Sequence, residues 1–206
     1  MSKTRMWMWA AVPALTGIGA TALVVCGPSH SANAHSSRPS GPQAEQALGT
    51  IVRLAAERVM TADTVAAAKW GTGRPIDDPA REKIVLDNAA ARATELGIDR
   101  ATVQRIFKDQ IDANKDVQRA LYAHWREHPT KRPSHHPDLA TQVRPVLDRV
   151  DSRLLTAIQQ AQPLLSRPGC DVLLKWRKAV TVRTMELDAL HRSGLDRALA
   201  HTCRAR

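Results

Sequence analysis

Apolar residues recur at helical spacing along most of the chain, and no segment shows the alternating pattern of a strand. The first such run extends from about Leu48 to Trp70 and is followed by a Gly-Thr-Gly-Arg-Pro turn. The second follows Asp77-Asp78-Pro79, where an Asp cap and a Pro in the first turn indicate a helix start. It is predicted to end at Gly97.

Further amphipathic runs fill the rest of the chain. Asp99 is predicted to cap a third helix over about 100–127, and a fourth follows Asp138 until Pro163 and the Pro168-Gly169 pair break it. Residues 170–203 are predicted to be helical again, in two pieces. The pattern therefore predicts an all-α fold, a single-domain helical bundle over residues 45–206, preceded by a flexible polar leader at 35–44.

The N-terminus has the pattern of a secretory signal peptide over residues 1–34. Lys3 and Arg5 precede an apolar run from residue 6 to residue 25, and Ala32-Asn33-Ala34 fits a signal peptidase site with cleavage after Ala34. An uncleaved membrane anchor is the alternative, and a lipid anchor on Cys26 is disfavoured because no small residue precedes that cysteine. We expect a secreted or periplasmic protein that has no membrane segment after cleavage.

Charge and aromatic content narrow the class of partner. The 206 residues include 30 Lys and Arg against 20 Asp and Glu, a net charge of +10, and aromatic residues make up only 3%. Removing residues 1–34 leaves 28 basic residues against the same 20 acids, a net charge of +8. Few aromatics argue against base-stacking platforms, and the cations are interleaved with acids, so nucleic acid is not a predicted partner.

Two cysteines remain after the signal peptide is removed. Cys170 and Cys203 form an even pair in an exported protein, which favours a disulfide over two free thiols.

Signatures of common catalytic chemistry are absent from the sequence. It contains no Gly-rich phosphate loop, no G-x-S-x-G elbow and no HExxH pair. The histidines at 124, 128, 135 and 136 have no carboxylate or cysteine at ligand spacing, so no metal site is predicted.

The informative feature is a set of polar residues that share helix faces with apolar ones. The spacing of 11 residues between Arg58 and Lys69 is close to three turns, and Asn114 and Gln118 are one turn apart. Each side chain alone could be solvated or snorkelling. Together they suggest a pocket in the bundle with several cations and two amides, suited to a small dianion. The set comprises Arg58, Lys69, Arg81, Asn114, Gln118 and Arg144, and Asp78 caps the helix that carries Arg81.

The same residues stand in segments that resemble a known family. AAERVMTADTVAAAKW, RPIDDPARE and IFKDQIDANKDVQ are similar to the all-helical AroQ class of chorismate mutases. AHWR, HPDL, RPVLD and the cysteine pair resemble its secreted, periplasmic-type gamma subclass. The likeness covers residues 48–203.

This resemblance implies a function and a role for each residue. The reaction would be the intramolecular [3,3] rearrangement of chorismate to prephenate, a step of aromatic amino-acid biosynthesis, without a cofactor. Arg58 and Arg144 would hold carboxylates, and Lys69 and Gln118 would hydrogen-bond the ether oxygen. Arg81 and the backbone at Asp78 would contact the region of the ring hydroxyl and the second carboxylate. Asn114 stands where relatives often have a small polar substrate contact.

The chain departs from the family pattern at one place, and two other functions are compatible with the sequence. After Arg81, where relatives often carry Gln, the chain has Lys83, Ile84 and Val85, so one substrate contact is missing or is replaced by Lys83. A non-catalytic secreted basic helical module is one alternative function, and pyruvate elimination from isochorismate on the same fold is another. The resemblance also suggests a homodimer with a complete site in each chain.

Overall fold

The computed structural model describes residues 41–203, in which every regular element is a helix. A short 3-10 turn at Pro129–Lys131 and a π-helical turn at Leu139–Val143 lie between the third and fourth α-helices. The α-helices are α1 (Gly41–Lys69), α2 (Pro79–Glu95), α3 (Arg100–Glu127), α4 (Arg144–Leu165), α5 (Cys170–Thr184) and α6 (Ala189–Ala198).

Three predicted helix starts are confirmed by their capping bonds. The Asp78 carboxylate accepts from the backbone N–H of Arg81 at 3.0 Å, and Asp99 accepts from that of Thr102 at 2.7 Å. Asp138 caps the π-helical turn that leads into α4. Each cap satisfies amides that the first helical turn leaves without partners.

Two predicted boundaries differ from the structure. Helix α1 begins at Gly41, so residues 41–44 of the predicted leader form its first turn, and Ala44 is buried. Pro42 is tolerated in this turn because the N–H that it lacks would have no helical partner. The expectation that Pro163 breaks the fourth helix was wrong. α4 runs through Pro163 to Leu165, and a proline this near the end disturbs only the last turn.

Helix α1 lies at the centre of the bundle. It contacts α3, α4, α5 and α6, while α2 packs on α3 and α4. Its buried face is rich in alanine, which allows close helix approach, and the fully buried larger side chains include Leu48, Ile51 and Phe107. This packing brings polar residues of α1, α2, α3 and α4 to one side of the core.

The predicted disulfide is present. Cys170, the first residue of α5, is bonded to Cys203, with Cα atoms 5.7 Å apart and a sequence separation of 33. Closing a loop of this size contributes about 3–4 kcal/mol by restricting the unfolded chain. The bond fastens the end of the chain after α6 to the start of α5.

The N-terminal predictions fall outside the described residues. These are the signal peptide at 1–34 with its cleavage site, Cys26, and residues 35–40 of the leader. Among the helices of residues 41–203, none is both long enough and apolar enough to cross a membrane.

Gly194 sits where α6 approaches two other helices closely. A Cβ at this position would lie 2.8 Å from a methyl group of Val59 on α1 and 2.8 Å from one of Val117 on α3. We expect Gly194→Ala to lower the free energy of unfolding by about 1–3 kcal/mol, despite the better helix propensity of alanine. Urea denaturation followed by circular dichroism measures this.

Gly49→Ala is the matched control, because the atoms nearest to a Cβ there belong to the flexible side chain of Arg177, at 3.4 Å and beyond. It should leave stability unchanged or raise it. Equal stability of the two variants would contradict the close approach at Gly194.

Candidate active site

One pocket, between α1, α2, α3 and the start of α4, brings together all seven residues that the sequence singled out. The space it encloses is about 790 Å³ when the open solvent at its mouth is included. Apolar side chains, among them Val65, Ile111 and Leu147, form much of the remaining wall. The seven residues are Arg58, Lys69, Asp78, Arg81, Asn114, Gln118 and Arg144.

Helix α1 supplies two cations from one face, as their spacing predicted. Arg58 is only 5% exposed, and its Nε donates to Oδ1 of Asp151 on α4 at 2.9 Å. Lys69 Nζ donates to the backbone carbonyl of Ile76 at 3.0 Å. The bond to Asp151 fixes the guanidinium of Arg58 while its two terminal nitrogens have no hydrogen-bond partner in residues 41–203.

The ammonium of Lys69 is partly desolvated. Burial lowers its pKa from the ordinary lysine value, and the charge of Arg74 acts in the same direction. The carboxylates of Asp78, Asp77 and Glu82 oppose this but do not cancel it. Partial desolvation strengthens the interaction of this cation with an anionic ligand.

Helix α3 supplies two buried amides that bond to each other. Gln118 Nε2 donates to Asn114 Oδ1 at 2.8 Å, and Asn114 Nδ2 donates to the backbone carbonyl of Arg58 at 2.9 Å. Gln118 Oε1 is buried and has no hydrogen-bond partner in the described part of the chain. An unsatisfied buried polar atom beside an open pocket is typical of a site that receives a ligand or water.

The other cations lie nearer the mouth. Arg81 of α2 lies 3.6 Å from the carboxylate of Asp148 on α4, and both side chains are partly exposed. Arg144, the first residue of α4, is exposed and forms no ion pair with any residue from 41 to 203. Asp78 lines the same region, with its carboxylate engaged in the cap of α2.

The pocket also contains four charged residues that were not predicted from the sequence: Glu82, Lys115, Asp148 and Asp151. Both carboxylate oxygens of Glu82 accept from Lys115 Nζ at 3.0 Å. Burial alone would lower the pKa of Lys115, but its bonds with Glu82 and Asp77, with the charge of Asp112, outweigh this and raise it. The pocket thus carries acids that restrain its cations as well as the cations themselves.

The suggestion that Lys83 replaces a lost substrate contact was wrong. Its side chain is 75% exposed and pairs with Asp87 one turn along α2. Val85 lines the pocket instead. Residue 83 faces solvent because it lies two positions from both Arg81 and Val85, about 160° away around the helix.

The chemistry available to this pocket is binding and electrostatic stabilisation. Guanidinium groups bind carboxylates, and the ammonium and amide N–H groups stabilise charge on an oxygen. In residues 41–203, no cluster of three or more His, Cys, Asp and Glu side chains is arranged to hold a metal ion.

The sequence and fold are similar to those of known proteins. A family model for chorismate mutase type II matches residues 49–119, which include every predicted site residue except Arg144. The secreted chorismate mutase of Mycobacterium tuberculosis is 35% identical over 172 residues, 81% of this chain and 86% of that protein. The secreted chorismate mutase of Mycolicibacterium smegmatis is 34% identical over 154 residues, 75% of this chain and 84% of that protein.

A solved structure extends the likeness to the fold. The crystal structure of the chorismate mutase from Burkholderia phymatum has a TM-score of 0.73 and 38% sequence identity with this chain. The match covers 78% of this chain and 98% of that one.

Proposed function

The chain belongs to the chorismate mutase type II family, and we propose that its pocket converts chorismate to prephenate by an intramolecular [3,3] rearrangement. The observation that carries this proposal is the convergence of five cations and two amides from four helices on one pocket. The reaction is unimolecular, so it requires binding and charge stabilisation rather than a nucleophile or a general base.

Binding the reactive conformer is the first contribution. Chorismate is a flexible dicarboxylate that must fold its side chain over the ring before the bonds can exchange. Arg58 and Arg144 would each hold one carboxylate and keep the compact conformer in place. Because Arg58 donates to Asp151 through Nε, both of its terminal nitrogens are left for a two-pronged contact with a carboxylate.

Charge stabilisation at the ether oxygen is the second contribution. Negative charge develops on this oxygen as its bond to carbon breaks. Lys69 Nζ and Gln118 Nε2 would donate to it, and each donor of this kind contributes about 3–4 kcal/mol to transition-state stabilisation. Arg81 and Asp78 would contact the region of the ring hydroxyl and the second carboxylate.

Product analysis tests this proposal against its alternatives. The purified mature protein is incubated with chorismate, and the product is converted to phenylpyruvate with acid for identification. A parallel reaction with isochorismate is assayed for released pyruvate. We expect prephenate from chorismate; pyruvate from isochorismate alone would favour the eliminating enzyme, and no turnover of either by folded protein would favour a binding module.

Gln118→Glu should make the activity dependent on acid pH. A carboxylate cannot donate to the ether oxygen, whereas a protonated carboxyl group can. Activity of the variant is therefore present below the pKa of the new carboxyl and is lost as the pH rises through it. The measurement is kcat/KM as a function of pH, and a profile identical to that of the wild type would refute a donor role for Gln118.

Export and assembly are further parts of this proposal. Residues 1–34 would form a signal peptide cleaved after Ala34, which would place the mature enzyme in the periplasm or outside the cell. The residue pattern supports this, as do two relatives that are named secreted chorismate mutases. A homodimer with one complete site in each chain stays a prediction, which light scattering of the mature protein would test.

A further inference from the structure

A chain of hydrogen bonds behind the pocket joins Gln118 to the backbone of α1. Gln118 Nε2 donates to Asn114 Oδ1 at 2.8 Å, and Asn114 Nδ2 donates to the carbonyl of Arg58 at 2.9 Å. The same carbonyl also accepts from the hydroxyl of Thr61 at 2.6 Å. Asn114 and Gln118 are both buried, with 6% and 3% exposure, so water competes little for these bonds.

This chain determines which way each amide points. A backbone carbonyl can only accept, so Asn114 must turn its NH₂ group towards Arg58 and its oxygen towards Gln118. Gln118 must then present its own NH₂ group to that oxygen, because two amide oxygens would repel each other. The orientation of Gln118 is thereby fixed by a main-chain atom of α1, and the usual ambiguity between amide oxygen and nitrogen is removed.

The bonding also leaves little of Asn114 free for a ligand. One N–H of its amide is donated to Arg58, and the NH₂ nitrogen lies 3.4 Å from the hydroxyl of Thr61. Gln118 Nε2, in contrast, donates only to Asn114 among residues 41–203, which leaves its second N–H unused. The free donor of the pair therefore belongs to Gln118.

We propose that Asn114 is a positioning residue, which acts on the reaction by holding the Gln118 amide with its free N–H directed to the ether oxygen, and that it is not itself a substrate contact. This inference rests on the proposed mutase activity. A donor that is already aligned stabilises developing charge without reorganising during the reaction. Without Asn114 the Gln118 amide can rotate, and a donor displaced by about 1 Å can lose a factor of about 10² in rate.

A double-mutant cycle on kcat tests this dependence. Asn114→Ala should lower kcat by about 10- to 100-fold and change KM little, because the lost interaction is made in the transition state. Gln118→Ala should lower kcat by at least as much. The double variant should be no slower than Gln118→Ala alone, since Asn114 then has no amide left to orient.

Three results would overturn the inference. If the two substitutions multiply in the double variant, or if Asn114→Ala mainly raises KM, Asn114 acts on the substrate independently of Gln118. If the wild-type enzyme does not convert chorismate, the inference fails together with the proposed function. Should Asn114→Ala not fold, Asn114→Ser is used in the same cycle, because its short hydroxyl cannot bridge both partners.

Gln110→Ala provides a matched control on the same helix. Gln110 lies one turn before Asn114, is 1% exposed, and donates from Nε2 to the carbonyl of Ala198 at 3.0 Å, away from the pocket. Removing this buried amide should lower the unfolding midpoint and leave kcat unchanged. A fall in kcat equal to that of Asn114→Ala would show that general loosening of α3 explains both.

Discussion

Lys69→Ala is expected to lower kcat by about 10²–10³-fold while the protein stays folded, because it removes a charged donor to the ether oxygen. Lys69 is partly buried and donates to the carbonyl of Ile76. Alanine leaves this part-buried loop carbonyl without its side-chain donor, a cost of about 1 kcal/mol that the fold should tolerate. Steady-state kinetics with chorismate measure kcat, and circular dichroism verifies the fold.

We also expect the activity to be lost at high pH, when the Lys69 ammonium loses its proton. Burial lowers the pKa of Lys69 from the usual lysine value. The charged form is the donor, so activity is present below this pKa and is lost as the pH rises through it. The fall should occur at a lower pH than the ordinary titration of lysine.

Lys83→Ala is the control for Lys69. That lysine also carries one positive charge, but it is 75% exposed and pairs with Asp87 outside the pocket. Its removal should leave kcat and KM unchanged. If the two lysine variants had equal activity, the role of Lys69 would be refuted.

Arg58→Ala is expected to have the second large effect, chiefly on kcat/KM. Arg58 is buried and bonded to Asp151, so alanine removes a carboxylate ligand and leaves a partly buried acid facing the anionic substrate. Truncating one partner of a buried charge pair costs about 2–5 kcal/mol, which corresponds to at least about 30-fold in kcat/KM. Arg58→Lys should restore only part of this, because an ammonium cannot bind a carboxylate through two parallel bonds.

Arg53→Ala is the corresponding control on α1. Arg53 is 42% exposed and pairs with Glu57 on the same helix. Losing an exposed pair of this kind costs about 1 kcal/mol of stability or less and should not alter kcat/KM. A loss of activity equal to that of Arg58→Ala would indicate that net charge, rather than a placed guanidinium, determines the rate.

The features that could be predicted from sequence are those set by local geometry. Asp78 and Asp99 cap helices because a short acidic side chain reaches the N–H three residues ahead. Asn114 and Gln118 were predicted to share a face because residues four apart are neighbours on a helix, and their side chains are indeed bonded.

The contacts that could not be predicted from the sequence are those between different helices, because they depend on how the helices cross. Arg58 and Asp151 are 93 residues apart, and no spacing rule relates them. Asp148 and Asp151 did carry a weak signal, since they follow Arg144 by four and seven residues and so lie on its face of α4. Pro163 does not end α4, because a proline in the last turn of a helix disturbs few bonds.

Part of the chain's positive charge lies in the pocket, where acidic residues accompany it. The pocket is lined by five cations and four acids. The cations are Arg58, Lys69, Arg81, Lys115 and Arg144, and the acids are Asp78, Glu82, Asp148 and Asp151. Two of these acids hold pocket cations, Asp151 to Arg58 and Glu82 to Lys115. Because the acids offset much of the positive charge, the pocket is suited to a small dicarboxylate by the positions of its individual cations and not by a general positive potential.

The most direct test of this account is the disappearance of chorismate in the presence of the purified mature enzyme, followed by ultraviolet absorbance. The account predicts a saturable, first-order conversion to prephenate that needs no added cofactor and is reduced by about 10²–10³-fold in Lys69→Ala. Folded, helical wild-type protein that leaves chorismate at the uncatalysed rate would contradict it.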